Sequence, residues 1–167
     1  MTPLVAVYNT NLIHEDFNQK GNTFPIITTS DNYFILDNGD YLLSRNNEKS
    51  EYAIIANNSS SSDFVLKTEL RIGPSNNPEA SIGVIFKAQQ DGKGALIFEI
   101  NKHGNYRIKQ LKGDAYQTLS GNKKKNGWVR DEFVNGVDEH NFVEIRTENN
   151  IFDIYVNNNY LTSFSTP

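Results

Sequence analysis

The chain has 167 residues, a formal net charge of −4 and no cysteine. This length can bury the core of one domain, and the lack of cysteine excludes disulfides, thiolate metal sites and thiol catalysis. The net negative charge is of the wrong sign for binding nucleic acid, so we expect no nucleic-acid partner. No apolar run approaches the roughly 18 residues of a membrane span, so we expect no such span.

The N-terminal segment, residues 1–12, is predicted to lie outside a single domain that spans residues 13–167. It lacks the basic region of a signal peptide, but Leu4–Tyr8 is an apolar run of β-prone residues. An open sheet edge is a template for association. We therefore expect this run to add an edge strand to the domain or to pair with a second copy, giving a dimer.

Short strands separated by turns follow in the first half of the domain. The clearest is Asp63–Ile72, in which apolar and polar residues alternate. Pro74 and Pro78 keep the next loop out of the sheet, because proline donates no ladder hydrogen bond. Ala80–Ala88 is predicted as the next strand, with Gly83 leaving one face open to a close approach, and Ala95–Asn101 is predicted as the third.

A three-residue loop, Lys102–Gly104, is predicted to close a hairpin after the third strand. That loop length sets the register, so Glu99 should face Arg107, and Ile97 should face Lys109. The sequence therefore predicts a cross-strand ion pair on the less apolar face of this hairpin.

The late part of the chain is predicted to form three more strands joined by asparagine-rich turns: Asn141–Thr147, Phe152–Asn157 and Tyr160–Phe164. Before them lies Ser120–Val137, a long and turn-rich loop that contains Trp128, the sole tryptophan. Such loops often carry function on a rigid scaffold. This succession of short strands is typical of an antiparallel sandwich.

Eight short motifs occur in an order that resembles one known family. They are Glu15–Asn18, Asn38–Leu42, Asp63–Leu66, Ile82–Phe86, Leu96–Ile100, Gly104–Ile108, Asn141–Ile145 and Ile154–Asn157. In this order they resemble the concanavalin A-like lectin/glucanase superfamily, and most of all its laminin-G-like jelly-roll modules from bacteria such as the Bacteroidetes.

The resemblance implies an all-β fold, an antiparallel jelly-roll β-sandwich of the concanavalin A-like type, with Glu15–Asn18 as its opening strand. Two departures stand out. The family has a tryptophan shortly after the opening strand where this chain has Phe24 and Pro25, and its final strands would follow Phe164. We therefore expect a sandwich that lacks its last strands.

The spacing of the acidic residues does not support an enzymatic function. Sandwich glucanases resembling this fold use a Glu-x-Asp-x-x-Glu strand, which places its carboxylates on one face. No glutamate here has an aspartate two residues later. We expect a protein that is not an enzyme, and the alternative is a glycoside hydrolase whose catalytic carboxylates are not identified.

Seven residues are candidate ligand contacts. The first six are expected to share the less apolar face of the central sheet, and the seventh lies in the long loop: Glu69, Arg71, Lys87, Glu99, Arg107, Lys109 and Trp128. The alternative is structural, because Glu99 and Arg107 can form a simple cross-strand pair. A lone tryptophan is more often buried than exposed, so we expect Trp128 to lie against the sandwich.

Metal ions and other cofactors are not expected. Asp91-Gly92 and Asn38-Gly39-Asp40 could offer oxygen ligands to calcium, which several families of this fold bind. Calcium needs six to eight converging oxygens, so we interpret both segments as turns. His14, His103 and His140 lie in separate segments without metal-type spacing.

The function expected from these observations is binding without catalysis, to a glycan or a protein partner, as one part of a larger protein. A purely structural adhesion or assembly module is the remaining alternative, since this fold hosts lectins, glycosidases and adhesion modules. An extracytoplasmic location is favoured over a cytoplasmic one. An exposed aromatic residue in a groove would favour glycan, and a flat apolar patch would favour protein.

Overall fold

A computed structural model describes residues 14–18, 24–46, 62–88 and 93–166. In these residues all strand pairs are antiparallel, and the one helical element is a 3₁₀ turn at Lys123–Lys125. The predicted all-β class is confirmed. The chain divides into two compact units, Met1–Ser60 and Ser61–Pro167, which are described separately.

The described residues of the first unit form three strands in the order β1-β2-β3: β1 (Ile27–Thr28), β2 (Asn32–Asp37) and β3 (Asp40–Arg45). Asn38 and Gly39 form the two-residue turn between β2 and β3, with φ angles of 51° and 85°. This turn type needs positive φ at both positions, which asparagine and glycine tolerate best.

The predicted opening strand at Glu15–Asn18 is wrong. The carboxylates of Glu15 and Asp16 accept hydrogen bonds from the backbone N–H groups of Phe17 and Asn18, at 3.1 Å in both cases. Such local bonds bend the chain and compete with strand pairing. Leu4–Tyr8 and the boundary after residue 12 lie outside the described residues, so the added edge strand and the dimer stay predictions.

The part of the second unit that the structure describes forms two sheets. The strands of the first are β4 (Phe64–Arg71), β10 (His140–Glu148), β11 (Ile151–Val156) and β12 (Asn159–Ser165), in the order β12-β11-β10-β4. The strands of the second are β5 (Ser81–Phe86), β6 (Leu96–Asn101), β7 (Asn105–Lys112), β8 (Ala115–Thr118) and β9 (Val129–Arg130). Their order is β5-β6-β7-β8, and β9 pairs with β7.

The core of this unit lies between the inward faces of the two sheets. Phe98 and Ile100 from the five-stranded sheet and Ile145 and Ile154 from the four-stranded sheet are fully buried in one apolar cluster. Each alternates along its strand with outward, more polar neighbours, as packing of two antiparallel sheets requires. The unit is therefore an antiparallel β-sandwich.

The predicted register of the β6–β7 hairpin is confirmed: Glu99 pairs with Arg107, and Ile97 pairs with Lys109. The side-chain oxygen of Asn101 accepts hydrogen bonds from the backbone N–H groups of His103 and Asn105, at 3.0 and 3.1 Å. These bonds hold the three-residue loop closed, so local turn chemistry fixes which residues meet across the hairpin.

Asn141, at the start of β10, ties the preceding loop to the sheet. Its side chain is fully buried; its oxygen accepts the Asn135 N–H at 2.8 Å and its amide donates to the Asn135 carbonyl at 3.2 Å. The Asn157 amide donates to the same oxygen of Asn141 at 3.4 Å and to the Phe133 carbonyl at 2.8 Å. These hydrogen bonds to the buried amide of Asn141 stabilise the otherwise irregular loop before β10.

Thr147 leads to a first prediction, because its buried hydroxyl has no hydrogen-bond partner among the residues that the structure describes. A buried polar group without a partner costs about 1–3 kcal/mol. Thr147→Val keeps the shape and β-branching and removes that hydroxyl, so we expect the free energy of unfolding to rise by about 1 kcal/mol in urea denaturation. A fall in stability would show that the hydroxyl is bonded.

Candidate functional site

Three charged residues lie side by side on the outer face of the five-stranded sheet. Glu99 on β6 and Arg107 and Lys109 on β7 alternate with inward residues of the core. Their side chains are only 7%, 14% and 4% exposed. The predicted ion pair is thus part of a largely buried cluster and not a surface pair. Burial raises the cost of desolvating the charges, and it also raises the loss of stability when one partner is removed.

A single carboxylate joins the two cations of this cluster. Oε1 of Glu99 accepts from Nε of Arg107 at 2.7 Å and from Nζ of Lys109 at 2.9 Å. Oε2 accepts from the Ser81 hydroxyl at 3.0 Å. Burial alone would raise the pKa of Glu99, but the Arg107 hydrogen bond and the Lys109 charge outweigh burial and hold that pKa below its ordinary value.

Gly83 allows the backbone of β6 and the Cβ atom of Glu99 to approach β5 closely. It pairs with Glu99 across the β5–β6 ladder, and a Cβ atom on Gly83 would lie 2.3 Å from the Phe98 carbonyl oxygen and 2.8 Å from Cβ of Glu99. No side chain fits at such distances. The close approach predicted at Gly83 is therefore made by Glu99.

Trp128 lies against the outer face of the sheet and not in the core. Its ring is half-buried, and the Arg107 guanidinium carbon lies over it, 4.3 Å from the ring centroid. Nη1 of Arg107 also donates to the Asn126 carbonyl at 3.2 Å, and the backbone N–H of Trp128 donates to the Lys125 carbonyl at 3.0 Å. Trp128 packs against the sandwich as predicted, with Arg107 held between its ring and Glu99.

A shallow depression of about 330 Å³ opens next to this cluster, lined by Tyr116, Gln117, Thr118 and Asn126. Tyr116 is 46% exposed, and Nζ of Lys109 lies 4.5 Å from the centroid of its ring. An aromatic surface beside amide and hydroxyl groups matches the two sides of a sugar, whose ring face is apolar and whose hydroxyls form hydrogen bonds.

The structure brings together Glu99, Arg107, Lys109 and Trp128, but the prediction that six charged residues share one face is wrong. Glu69 and Arg71 belong to β4, which pairs with β10 in the other sheet, where both are exposed. The prolines of the following loop end β4, and the next strand, β5, joins the opposite sheet. Alternation along a strand shows which residues share its face but not which sheet it enters.

Lys87 lies apart from the cluster as well. It follows the end of β5 with a φ of 54°. Its Nζ donates to the Asn150 and Thr166 side chains at 3.0 Å each and lies 5.3 Å from the Phe152 ring centroid. Lys87 therefore links the end of β5 to the β10–β11 turn.

Sequence reasoning missed Tyr116 and Asn126. β8 has four residues and little alternation, so it gave no strand pattern. A signal was present in Gly113-Asp114, which forms the two-residue turn between β7 and β8, with Gly113 at a φ of 65°. A glycine-aspartate pair after a strand is a hairpin signal, and it would have placed Tyr116 beside β7.

Of the two segments that were interpreted as turns, the structure describes one. Asn38-Gly39-Asp40 includes the β2–β3 turn, as predicted, and Asp91-Gly92 lies outside the described residues. Among the residues that the structure describes, no group of three or more histidine, aspartate or glutamate side chains could hold a metal ion, and no helix is long and apolar enough to cross a membrane.

Comparison with known proteins gives one informative result. No family model matches the chain, and no curated protein matches it. Among solved structures, it is similar to the carbohydrate-binding module CBM66 from Bacillus subtilis, with a TM-score of 0.53 and 15% sequence identity. The match covers 83% of this chain and 68% of that one. The two share a β-sandwich fold. At this identity the match shows the fold alone.

Proposed function

We propose that this chain is a non-catalytic carbohydrate-binding module, built as a concanavalin A-like jelly roll, that holds a sugar in the depression beside Tyr116. The fold is similar to that of a carbohydrate-binding module. In this proposal the domain acts as one part of a larger, extracytoplasmic protein.

The observation that carries the proposal is the rigid support beneath an exposed aromatic ring. Tyr116 contacts Lys109, and Lys109 is held by Glu99, which Arg107 also binds. A ring that is fixed before the ligand arrives loses little conformational freedom on binding. The same cluster fixes Asn126 through its carbonyl, so both sides of the depression are tied to one buried carboxylate.

The hydrolase alternative finds less support at this site. A glycosidase needs one carboxylic acid that keeps its proton and a second carboxylate nearby. Glu99 is held ionised by two cations, since its pKa is lowered, and both of its oxygens already accept hydrogen bonds. It therefore has no proton to donate at neutral pH.

Protein interaction is the second candidate, favoured by the outer face of the four-stranded sheet. Val65, Phe142 and Tyr160 are each more than half exposed there. Exposed apolar side chains on one face suit a protein partner better than a sugar. If that face is the functional one, substitutions there will abolish binding to the partner and substitutions at Tyr116 will not.

Tyr116→Ala tests the glycan proposal. We expect about tenfold weaker binding, or roughly 1.4 kcal/mol, to any oligosaccharide that a glycan array identifies, measured by isothermal titration calorimetry. The loss arises because the substitution removes the apolar surface on which the sugar ring packs.

Tyr160→Ala is the matched control, since Tyr160 is an exposed tyrosine at 54%, on the opposite sheet. It should leave sugar affinity unchanged. A site at Tyr116 would be contradicted if both substitutions weakened sugar binding equally. It would also be contradicted if neither substitution changed the affinity for the sugar.

A further inference from the structure

Asn126 forms the wall of the depression that does not belong to β8. Among the described residues that line the depression, Tyr116, Gln117 and Thr118 lie on β8, whereas Asn126 lies in the loop between β8 and β9. Asn126 is exposed, and its backbone carbonyl accepts from Arg107. An asparagine amide offers both a donor and an acceptor to a ligand. The path of the loop therefore decides where this amide meets a bound sugar.

The hydroxyl of Ser120 closes this loop. Its oxygen accepts the Ile108 N–H of β7 at 2.8 Å, and it donates to the Gly127 carbonyl at 2.8 Å. The Leu119 N–H donates to the Ile108 carbonyl at 2.8 Å, so backbone pairing with β7 reaches Leu119 and the Ser120 side chain continues it. One side chain thus joins both ends of the loop to each other and to β7.

Close packing against β8 fixes the end of the loop that carries Asn126. A Cβ atom on Gly127 would lie 2.8 Å from Cγ2 of Thr118, and a Cβ atom on Gly121 would lie 2.8 Å from the Gly127 carbonyl oxygen. The Gly127 N–H donates to the Asn122 carbonyl at 3.1 Å. Gly127 is therefore packed directly on a residue of the depression, and Asn126 precedes it.

We propose that the depression takes a pyranose sugar, that Asn126 selects among pyranoses by the direction of their hydroxyl groups, and that Ser120 is the positioning residue that holds Asn126. The inference rests on the proposed function and specifies how the site chooses its ligand. The six-membered ring of a pyranose has a face of C–H groups that packs on an aromatic ring, and Tyr116 supplies this contact to every pyranose alike. An amide held in one place distinguishes hydroxyls by their direction, because only one direction completes the hydrogen bond.

The test of Asn126 compares sugars that differ in one hydroxyl. The full chain is titrated by calorimetry with the methyl glycosides of glucose, galactose and mannose, of which the last two each differ from the first in the direction of one hydroxyl. We expect a preference of at least about fivefold for one of them. Asn126→Gly removes the amide and tolerates the φ of 50° at this position. It should reduce the preference to about twofold or less, and an unchanged preference would overturn the role of Asn126.

Ser120→Ala tests the positioning role. We expect it to reduce the preference as Asn126→Gly does, because the loop is no longer closed. Ser120→Thr keeps a hydroxyl and should keep the preference. In the double variant, Ser120→Ala should add no further loss of preference to that of Asn126→Gly, since both act through the same amide. A further loss in the double variant would show that Ser120 does not act through Asn126.

Asn141→Ala is the control for stability, because Asn141 holds a different loop, before β10. It should leave the sugar preference unchanged. If it reduces the preference as Ser120→Ala does, the preference follows the stability of the fold and the positioning role is overturned.

The remaining outcomes separate this inference from the proposed function. Absence of any preference in the unmodified chain contradicts selection by Asn126. Failure of all three methyl glycosides, when an oligosaccharide from the glycan array binds and Tyr116→Ala weakens it, contradicts the inference and keeps the glycan proposal. Failure of every oligosaccharide on the array contradicts both.

Discussion

Glu99→Ala is expected to lower the free energy of unfolding by about 3–5 kcal/mol, because it leaves two largely buried cations without their common anion. The side chains of Arg107 and Lys109 are only 14% and 4% exposed. Water therefore solvates these two cations poorly when the carboxylate is removed. Urea denaturation followed by circular dichroism measures the change.

Glu144→Ala provides a matched control. Glu144 also binds two cations, Lys67 and Arg146, but these are 72% and 53% exposed on the outer face of the other sheet. Exposed ion pairs contribute little, so the loss should be much smaller than at Glu99. Similar losses at the two positions would contradict the claim that burial makes the Glu99 cluster more important for stability than an exposed ion pair.

Acid should weaken the fold through the same carboxylate. The pKa of Glu99 lies below its ordinary value of 4.5 in the folded chain. Its ionised form therefore stabilises the fold above about pH 4.5, and that stabilisation is lost as the pH falls through the lowered pKa. Glu99→Gln should flatten the fall in unfolding free energy in this acid range, and an unchanged slope would assign the acid sensitivity to other carboxylates.

Asn141→Ala is expected to cost about 3 kcal/mol. The substitution removes the hydrogen bonds to Asn135 and Asn157, worth roughly 1 kcal/mol each, and leaves the half-buried N–H and carbonyl of Asn135 without these bonds. The same denaturation measurement applies. Asn76→Ala, at an exposed asparagine of the β4–β5 loop, should stay within about 0.5 kcal/mol.

Loss of the Asn141 hydrogen bonds should also increase local opening of the loop that contains Asn135. Hydrogen exchange of the Asn135 N–H should accelerate more than that of Ile145, which lies in the centre of β10. If both amides accelerate equally, Asn141 acts on the sandwich as a whole and does not specifically anchor the loop.

Much of the sandwich could be predicted from residue alternation. β4, β6, β7, β10 and β11 each show it, because one face packs on the core and the other contacts solvent. The pairing of Glu99 with Arg107 was predictable for a different reason, since a three-residue loop leaves one register. Both predictions depend on interactions between residues that are close in sequence.

The rest depends on contacts between distant segments. Glu69 and Arg71 were assigned to the wrong sheet because the partner of β4 is β10, about 70 residues later, and alternation within β4 carries no information on that choice. Glu15–Asn18 was expected to be a strand, but local side-chain hydrogen bonds bend it. The contact of Trp128 with Arg107 depends on how an irregular loop returns to the sheet.

The position of Trp128 has a practical consequence. It is the only tryptophan in the chain, and it lies against the Arg107 guanidinium beside the depression. Indole emission depends on nearby charge and on access of water, so the intrinsic fluorescence of the unlabelled chain reports on this one site. A ligand that displaces water there or draws Arg107 away from the ring will shift that emission, which allows many sugars to be screened in solution without tagging either partner.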